Sequence, residues 1–346
     1  MSWLRRPRAG GLIVLGTSAL GGAAYRFTQS STSDASLNPH TFTQYTLVKK
    51  RPVSSTSAIF TLRNRDGGPD PDSLKEGWKR SVWSVQVKQP QLQIARAYTP
   101  LPPNSDSSSN FDNEPEDLRF LIRLEEGGEV STYLHRLPEQ STIELRGPNS
   151  ECELPQDIKE IIFLAGGTGI APAMQVAHAL GQRLDSRMHI LWANRRREEC
   201  IGGVSDEVET NTAIQGRSSW WRSVFGLGQR TAQPTPIASQ SSQGIGVIVQ
   251  ELDALKERGK AHTKGLIVQY YVDEEKSFIR PGDVAKRLGP GSPEQNGSKV
   301  ILVSGPNGFI DYWAGKKFWV GGQEVQGPLG GVLGQMDLKG WSVFKL

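Results

Sequence analysis

The chain changes its grammar at Pro155, and that change limits the folds open to it. Upstream, short β-rich segments follow one another at residues 42–49, 58–63, 83–87, 118–124 and 142–146. Breaks bearing Pro, Gly and Ser separate them, and a single helix-like piece at 131–137 interrupts them. That spacing predicts an antiparallel β-barrel. Downstream, strands at 160–165, 188–193, 266–272 and 299–303 alternate with helices at 172–183, 249–258 and 281–288. Alternation of this kind predicts a parallel sheet with helices on both faces and a ligand at the C-terminal strand ends. A length of 346 residues suits two such domains with a cleft between them. The polar stretches 64–77 and 102–117 lack apolar anchors and read as surface loops.

The N-terminus carries a targeting pattern. Arg5, Arg6 and Arg8 fall in an Arg-rich segment (1–8), an uncharged apolar run covers 9–25, and the first acidic residue is Asp34. An acid-free, Arg-rich start fits a mitochondrial presequence. The apolar run is at the short edge of what crosses about 30 Å of hydrocarbon. We read it as a membrane anchor rather than a cleaved signal, because no Ala-x-Ala site follows it. Residues 26–39, rich in Ser and Thr, then read as a tether. The folded part is expected as a barrel at 40–150 and a second domain at 156–346 with a polar insertion at 201–245. The insertion sets Trp220, Trp221 and Phe225 among Arg217, Arg222 and Arg230. It reads either as a basic-aromatic contact with a membrane or partner, or as an idle loop.

Composition narrows the function classes. A net charge of +4, scattered along the chain, gives no basic face for nucleic acid. Cys152 and Cys200 are far apart and without His at ligand spacing, so neither a disulfide framework nor a metal site is expected. Covalent haem attachment to this chain is not expected either, because no Cys-x-x-Cys-His occurs. The five His form no cluster by spacing and receive no role.

Three motifs carry chemistry. In Arg96-Ala97-Tyr98-Thr99, Arg96 offers a planar donor fork suited to a pyrophosphate, and Tyr98 lies on the same strand face, able to pack on a flavin ring. Thr99 can set its hydroxyl or backbone N–H at the flavin edge, and Pro100 then ends the strand. Gly128-Glu129-Val130-Ser131 precedes the helix of the barrel half, with Ser131 as its expected N-cap and its amides facing an anion site. Gly166-Gly167-Thr168-Gly169 joins a buried strand to a helix, where missing side chains let the backbone approach a pyrophosphate. Thr168 could stand between two cofactors. Ser304-Gly305-Pro306, at the end of the last parallel strand, places a small polar group where a nicotinamide ring would lie. Hydride transfer requires the two rings stacked with reacting atoms about 3–3.5 Å apart.

Together these residues resemble the ferredoxin-reductase-type flavoproteins, the family that includes cytochrome b5 reductase. Arg96 to Leu101 is similar to the family's Arg-x-Tyr-Ser/Thr motif, Gly128 to Ser131 to its Gly-x-x-Ser element, and Leu145 to Pro148 to the segment closing its barrel. Leu164 to Pro172 resembles the Gly-Gly-Thr-Gly-Ile-x-Pro loop, Trp192-Ala193-Asn194 the Tyr/Phe-Ala-Asn strand end, and Ser304 to Pro306 the Cys-Gly-Pro. The resemblance implies an FAD-binding barrel, a nucleotide domain taking NADH or NADPH, cofactor contacts that include Asn194 and Asp273, and reactive positions at Thr99, Thr168 and Ser304. Ser304 stands where the family has Cys. Trp341 or Phe344 would cover the flavin in place of the usual terminal aromatic. With the anchor and the segment Gln326 to Gly331, the chain is most similar to fungal mitochondrial flavoproteins that assist haem attachment to cytochrome c. That implies an inner-membrane enzyme facing the intermembrane space, reducing haem iron in company with cytochrome c and its haem lyase. Electron transfer of the cytochrome b5 reductase type to another haem protein, and a non-catalytic assembly scaffold, are the competing readings. Asp273 disfavours a 2′-phosphate while Arg195, Arg196 and Arg197 could welcome one; the balance favours NADH.

Overall fold

The computed structural model describes residues 36–66, 72–103, 117–181, 183, 185–206, 244–259, 265–288 and 297–346. The expected targeting segment, the apolar run 9–25, most of the tether and the aromatic part of the insertion lie outside these residues. Among the described residues no helix is long and apolar enough to cross a membrane.

The first domain is a seven-stranded antiparallel sheet built from β1 (Thr43–Pro52), β2 (Ser57–Asn64), β3 (Ser81–Gln89), β4 (Ile94–Tyr98), β5 (Pro100–Leu101), β6 (Leu118–Arg123) and β7 (Thr142–Glu153). Its order is β4-β3-β7-β1-β2-β6-β5, so the two outer strands are consecutive in the chain and only Thr99 separates them. The strand bearing Arg96 ends at Tyr98, before Pro100, and Pro100, expected to end it, opens a new strand whose partner is Phe120 of β6. Leu47, Phe60, Leu62, Val85, Val87, Phe120, Ile122 and Leu145 share one core on one face of the sheet, while Ile59, Val82, Leu101 and Leu121 on the other face pack into the core of the second domain.

Two helices belong to this domain. One was not expected: α1 (Asp72–Arg80) occupies part of the stretch read as a polar loop. Leu74 is buried and Trp78 meets Trp83 edge-on at 4.8 Å, so two side chains one helical turn apart anchor an otherwise polar helix. The other, α2 (Glu129–Arg136), starts two residues earlier than Ser131. Ser131 is thus inside the helix, and its cap is Gly128 in extended backbone. The Ser131 hydroxyl accepts from the Glu125 amide at 3.2 Å and donates to the Gly128 carbonyl at 3.2 Å. That tie folds the preceding turn onto the helix start and leaves the capping position to glycine.

The second domain has a parallel sheet of order β10-β9-β8-β11-β14, made of β8 (Ile158–Gly166), β9 (Arg187–Asn194), β10 (Gly265–Val272), β11 (Ser298–Ser304) and β14 (Trp341–Lys345). A small hairpin, β12 (Phe318–Val320) with β13 (Gln323–Val325), stands apart from it. Helices α3 (Ile170–Leu180) and α4 (Val247–Gly259) cover one face; α5 (Pro281–Leu288) and α6 (Asn307–Ala314) cover the other. Successive β8 residues show the division. Ile161 and Phe163 pack with Met174 and Leu252, whereas Ile162 and Leu164 pack with Val284 and Trp313. Doubly covered strands explain why β8 and β11 read as unbroken apolar runs.

Buried polar contacts join the domains. Gln175 of α3, almost fully buried, accepts from the Trp83 amide at 3.0 Å and donates to the carbonyls of Trp83 at 3.2 Å and Pro100 at 3.0 Å. One amide side chain thereby satisfies three main-chain groups of the barrel. Arg119 of β6 forks onto Glu251 of α4 at 2.6 and 3.2 Å, with both side chains largely buried.

Candidate functional site

A cleft of about 430 Å³ opens between the domains. Arg96, Tyr98 and Thr99 line it from the barrel's seam, Gly128, Val130 and Ser131 from the start of α2, and Thr168 and Gly169 from the loop after β8. Ser304 and Gly305 reach it from the end of β11. Residues far apart in sequence thus meet because both domains present strand ends and helix starts to the same space.

The barrel wall offers an anion site. Arg96 is exposed, and the hydrogen bond its guanidinium makes is to the neighbouring Ala95 carbonyl at 3.2 Å. Burial pushes the Tyr98 phenol up to about 12, with Arg96 pulling the other way, so the hydroxyl keeps its proton at neutral pH and can donate. Helix geometry leaves the first-turn amides of α2 without intrahelical partners. A free cation, an aromatic wall and unspent amides fit a flavin's ring and pyrophosphate.

The nucleotide wall is made of close backbone approaches. A Cβ on Gly169 would lie 2.3 Å from the Ser304 carbonyl oxygen, and one on Gly305, whose φ is +153°, would lie 3.0 Å from the Gly166 backbone. The Phe309 ring would sit 2.9 Å from a Cβ on Gly166. Only at Gly167, with φ of +54°, does the absent side chain face a charge: the Arg123 guanidinium would be 3.4 Å away. Trp192, buried under the loop, donates its indole N–H to the Gly167 carbonyl at 2.9 Å. The loop is therefore held from below by Trp192 and from the side by Ser304.

Gly166, Gly167, Asn194, Asp273 and Pro306 do not line the cleft. Asn194 is buried at the end of β9, and neither side-chain amide atom has a partner. Asp273 is exposed at the end of β10. Of the three arginines after β9, Arg197 forks onto Glu275 at 2.6 and 2.5 Å, and Arg196 lies 3.4 Å from Glu198. Arg195 has no acidic partner among the described residues. Trp341 and Phe344 also miss the cleft; the terminal Leu346 lines it, because β14 runs parallel to β11 and brings the chain end there.

Other cleft residues had no signature in the sequence. Arg123 at the end of β6 lines it and forms a buried ion pair with Glu199, across the domain boundary and beside Gly167. The Arg123 Nε and one Glu199 oxygen remain without partners. Lys317 and Glu324, paired at 3.0 Å across the β12–β13 hairpin, stand at its mouth. A charged residue directly after the apolar run Phe120 to Ile122 was the one available hint for Arg123.

Comparison with known proteins agrees with this geometry. Residues 44–154 match the oxidoreductase FAD-binding domain family and residues 163–223 the oxidoreductase NAD-binding domain family. The cytochrome c mitochondrial import factor of Saccharomyces cerevisiae is 24% identical over 368 residues, spanning 93% of this chain and 87% of that protein. An uncharacterized FAD-binding protein of Schizosaccharomyces pombe is 30% identical over 45% of this chain, and NADH-cytochrome b5 reductase 1 of Aspergillus terreus 29% identical over 54%. The chain spans only 54% and 62% of the lengths of those two relatives. The crystal structure of full-length CYP116B46 from Tepidiphilus thermophilus shares the fold, with a TM-score of 0.53 at 14% identity over 88% of this chain and 28% of that one. Antiparallel sheet, parallel nucleotide sheet, the cleft between them and both family matches together place the chain among the FAD-dependent NAD(P)H oxidoreductases of the ferredoxin-reductase type.

Proposed function

We propose that this oxidoreductase takes a hydride from NAD(P)H and delivers the two electrons singly to haem iron during cytochrome c maturation in mitochondria. The observation that carries the reading is the similarity to the yeast cytochrome c mitochondrial import factor across 93% of the chain. The balance is one NAD(P)H and two ferric haems giving NAD(P)⁺, a proton and two ferrous haems. FAD, when bound, supplies acceptance of the hydride and release of single electrons.

The chain's own residues bind and orient. Arg96 and the first-turn amides of α2 neutralise the pyrophosphate, and Tyr98 flanks the ring as a protonated donor. Thr99, at the seam, and Thr168 set hydroxyls on the two sides of the cleft, with Ser304 beside the nicotinamide. Gly166, Gly167 and Gly169 shape the second pyrophosphate loop, with Gly305 and Pro306 completing the nicotinamide side. The orphaned Asn194 amide awaits a nucleotide oxygen or nitrogen. NADH is the donor favoured here, because Asp273 disfavours a 2′-phosphate and two of the three neighbouring arginines are held by glutamates. Arg5, Arg6, Arg8 and the apolar run 9–25 support anchoring in the inner membrane with the catalytic part in the intermembrane space.

The test uses the full chain in detergent, made anaerobic and mixed with NADH or NADPH, then with ferric haem or ferric cytochrome b5. Bleaching of bound flavin followed by haem reduction is expected, faster with NADH. Reduction of cytochrome b5 alone would favour the b5 reductase type of transfer. A flavin that neither nucleotide bleaches would favour the scaffold.

A further inference from the structure

A second cavity, of about 350 Å³, lies between the same two domains but further along β6, where Arg119 rather than Leu121 and Arg123 faces it. Its base is apolar: Ile59, Met174 and Leu255 are each at most 5% exposed. Its rim is cationic, with Lys49 and Arg51 from β1, Arg119 from β6 and Arg258 from α4. The one carboxylate on its wall, Glu251, is already taken by Arg119, which also donates to the Pro102 carbonyl at 2.6 Å. Among the described residues Lys49, Arg51 and Arg258 have no carboxylate partner, and Arg258 makes there only a 3.4 Å bond to the Ala254 carbonyl of its own helix. Three uncommitted cations converging on one concave site repel one another and raise the local concentration of anions.

From this arrangement we propose that the cavity is a binding site for an amphiphilic organic anion, a carboxylate or phosphate carried on an apolar body. The arginine forks match such a head group bidentately, while the apolar base takes a tail. Thr61 and Gln250 add polar edges from the two domains, and interdomain pockets lined this way are where small ligands bind. A ligand here would touch the barrel through Arg51 and the nucleotide domain through Arg258, bridging them away from the flavin cleft.

The test is calorimetric titration of octanoate into the full chain, reconstituted in neutral phosphatidylcholine discs and saturated with FAD and NAD⁺ so that the first cleft is filled. One saturable octanoate per chain is expected, with acetate and octanol each at least about tenfold weaker, since each offers half of the recognition. Arg51→Glu with Arg258→Glu should weaken octanoate by more than about tenfold, because the loss of one charge-assisted hydrogen bond already gives about tenfold and two are removed. The milder pair Lys49→Gln and Arg258→Gln should weaken it less while the protein keeps its flavin, which separates site loss from misfolding. Discs doped with phosphatidic acid distinguish the source: competition with octanoate marks a lipid head group, and undiminished octanoate binding marks a soluble anion. Absence of saturable octanoate binding, acetate binding as tightly as octanoate, or both variant pairs binding as wild type would overturn the assignment.

Discussion

The two walls of the flavin cleft are built on opposite principles. On the barrel side binding groups are displayed: Arg96 and Tyr98 project from a strand at the sheet's edge, and the Arg96 guanidinium has no carboxylate partner among the described residues. On the nucleotide side they are withheld, and Gly166, Gly169 and Gly305 matter because anything larger would strike neighbouring backbone or the Phe309 ring. A displayed group can be removed at the cost of its own contact, whereas filling a withheld space displaces everything packed there. Removal should therefore be local on one wall and global on the other.

The largest effect tests whether the walls are independent at all. Glu199→Ala strands the buried Arg123 charge at the junction, and should cost about 3–5 kcal/mol of stability by denaturant titration. A loss below about 1 kcal/mol would show that the pair is solvated in solution and that the domains are joined chiefly by Gln175 and Arg119. Next, Gly169→Ala should cost about 1–3 kcal/mol and slow flavin reduction by nucleotide while FAD stays bound. Unchanged reduction kinetics in rapid mixing would break the contrast between the walls. Arg96→Ala should weaken FAD binding by about 1.5–3 kcal/mol, ten- to hundredfold, with thermal stability of the FAD-free protein unaltered. Retention of flavin at wild-type occupancy would count against a phosphate role for Arg96.

The smallest effect is electrostatic. Burial, helped by Arg287 and Arg187, lowers His189 on β9 to about 4 from its ordinary 6.5. Between those values the unfolded chain binds a proton that the folded chain refuses, so stability falls as pH drops from 6.5 toward 4 and is fully present above 6.5. The midpoint temperature of wild type should decline through that window, and His189→Leu should flatten part of the decline. An unchanged slope would mean that the ring is solvated in the native state.

What the sequence disclosed follows the same division. Elements with long apolar runs, such as β8, β11 and α3, were legible, because burial on a sheet or helix face leaves a repeating mark. The α1 helix was not, since it rests on Leu74 and Trp78 amid polar neighbours. The start of α2 misled for a different reason: Ser131 has the chemistry of a cap but spends its hydroxyl on the turn before it. At the site, strand-end motifs were readable by residue type, while Arg123, Gln175 and Glu199 were not. Their importance arises only when two domains meet, and no local pattern encodes that meeting. The edge strand β14 packs Trp341 and Val343 on one face and Phe344 on the other, and Leu346 after it took the place at the cleft expected for Trp341 or Phe344.

Where Gly169 meets the Ser304 carbonyl and Gly305 meets Gly166, the colliding partner is main chain in both directions. Side-chain clashes can be relieved by trimming the neighbour, but peptide backbone has nothing to trim. These contacts therefore have no second-site suppressors among the twenty amino acids at the facing positions. In a library that randomises both loops together, the glycines at 169 and 305 should return alone and unlinked to any choice at 166 or 304. The other loop residues would be free to drift in correlated pairs.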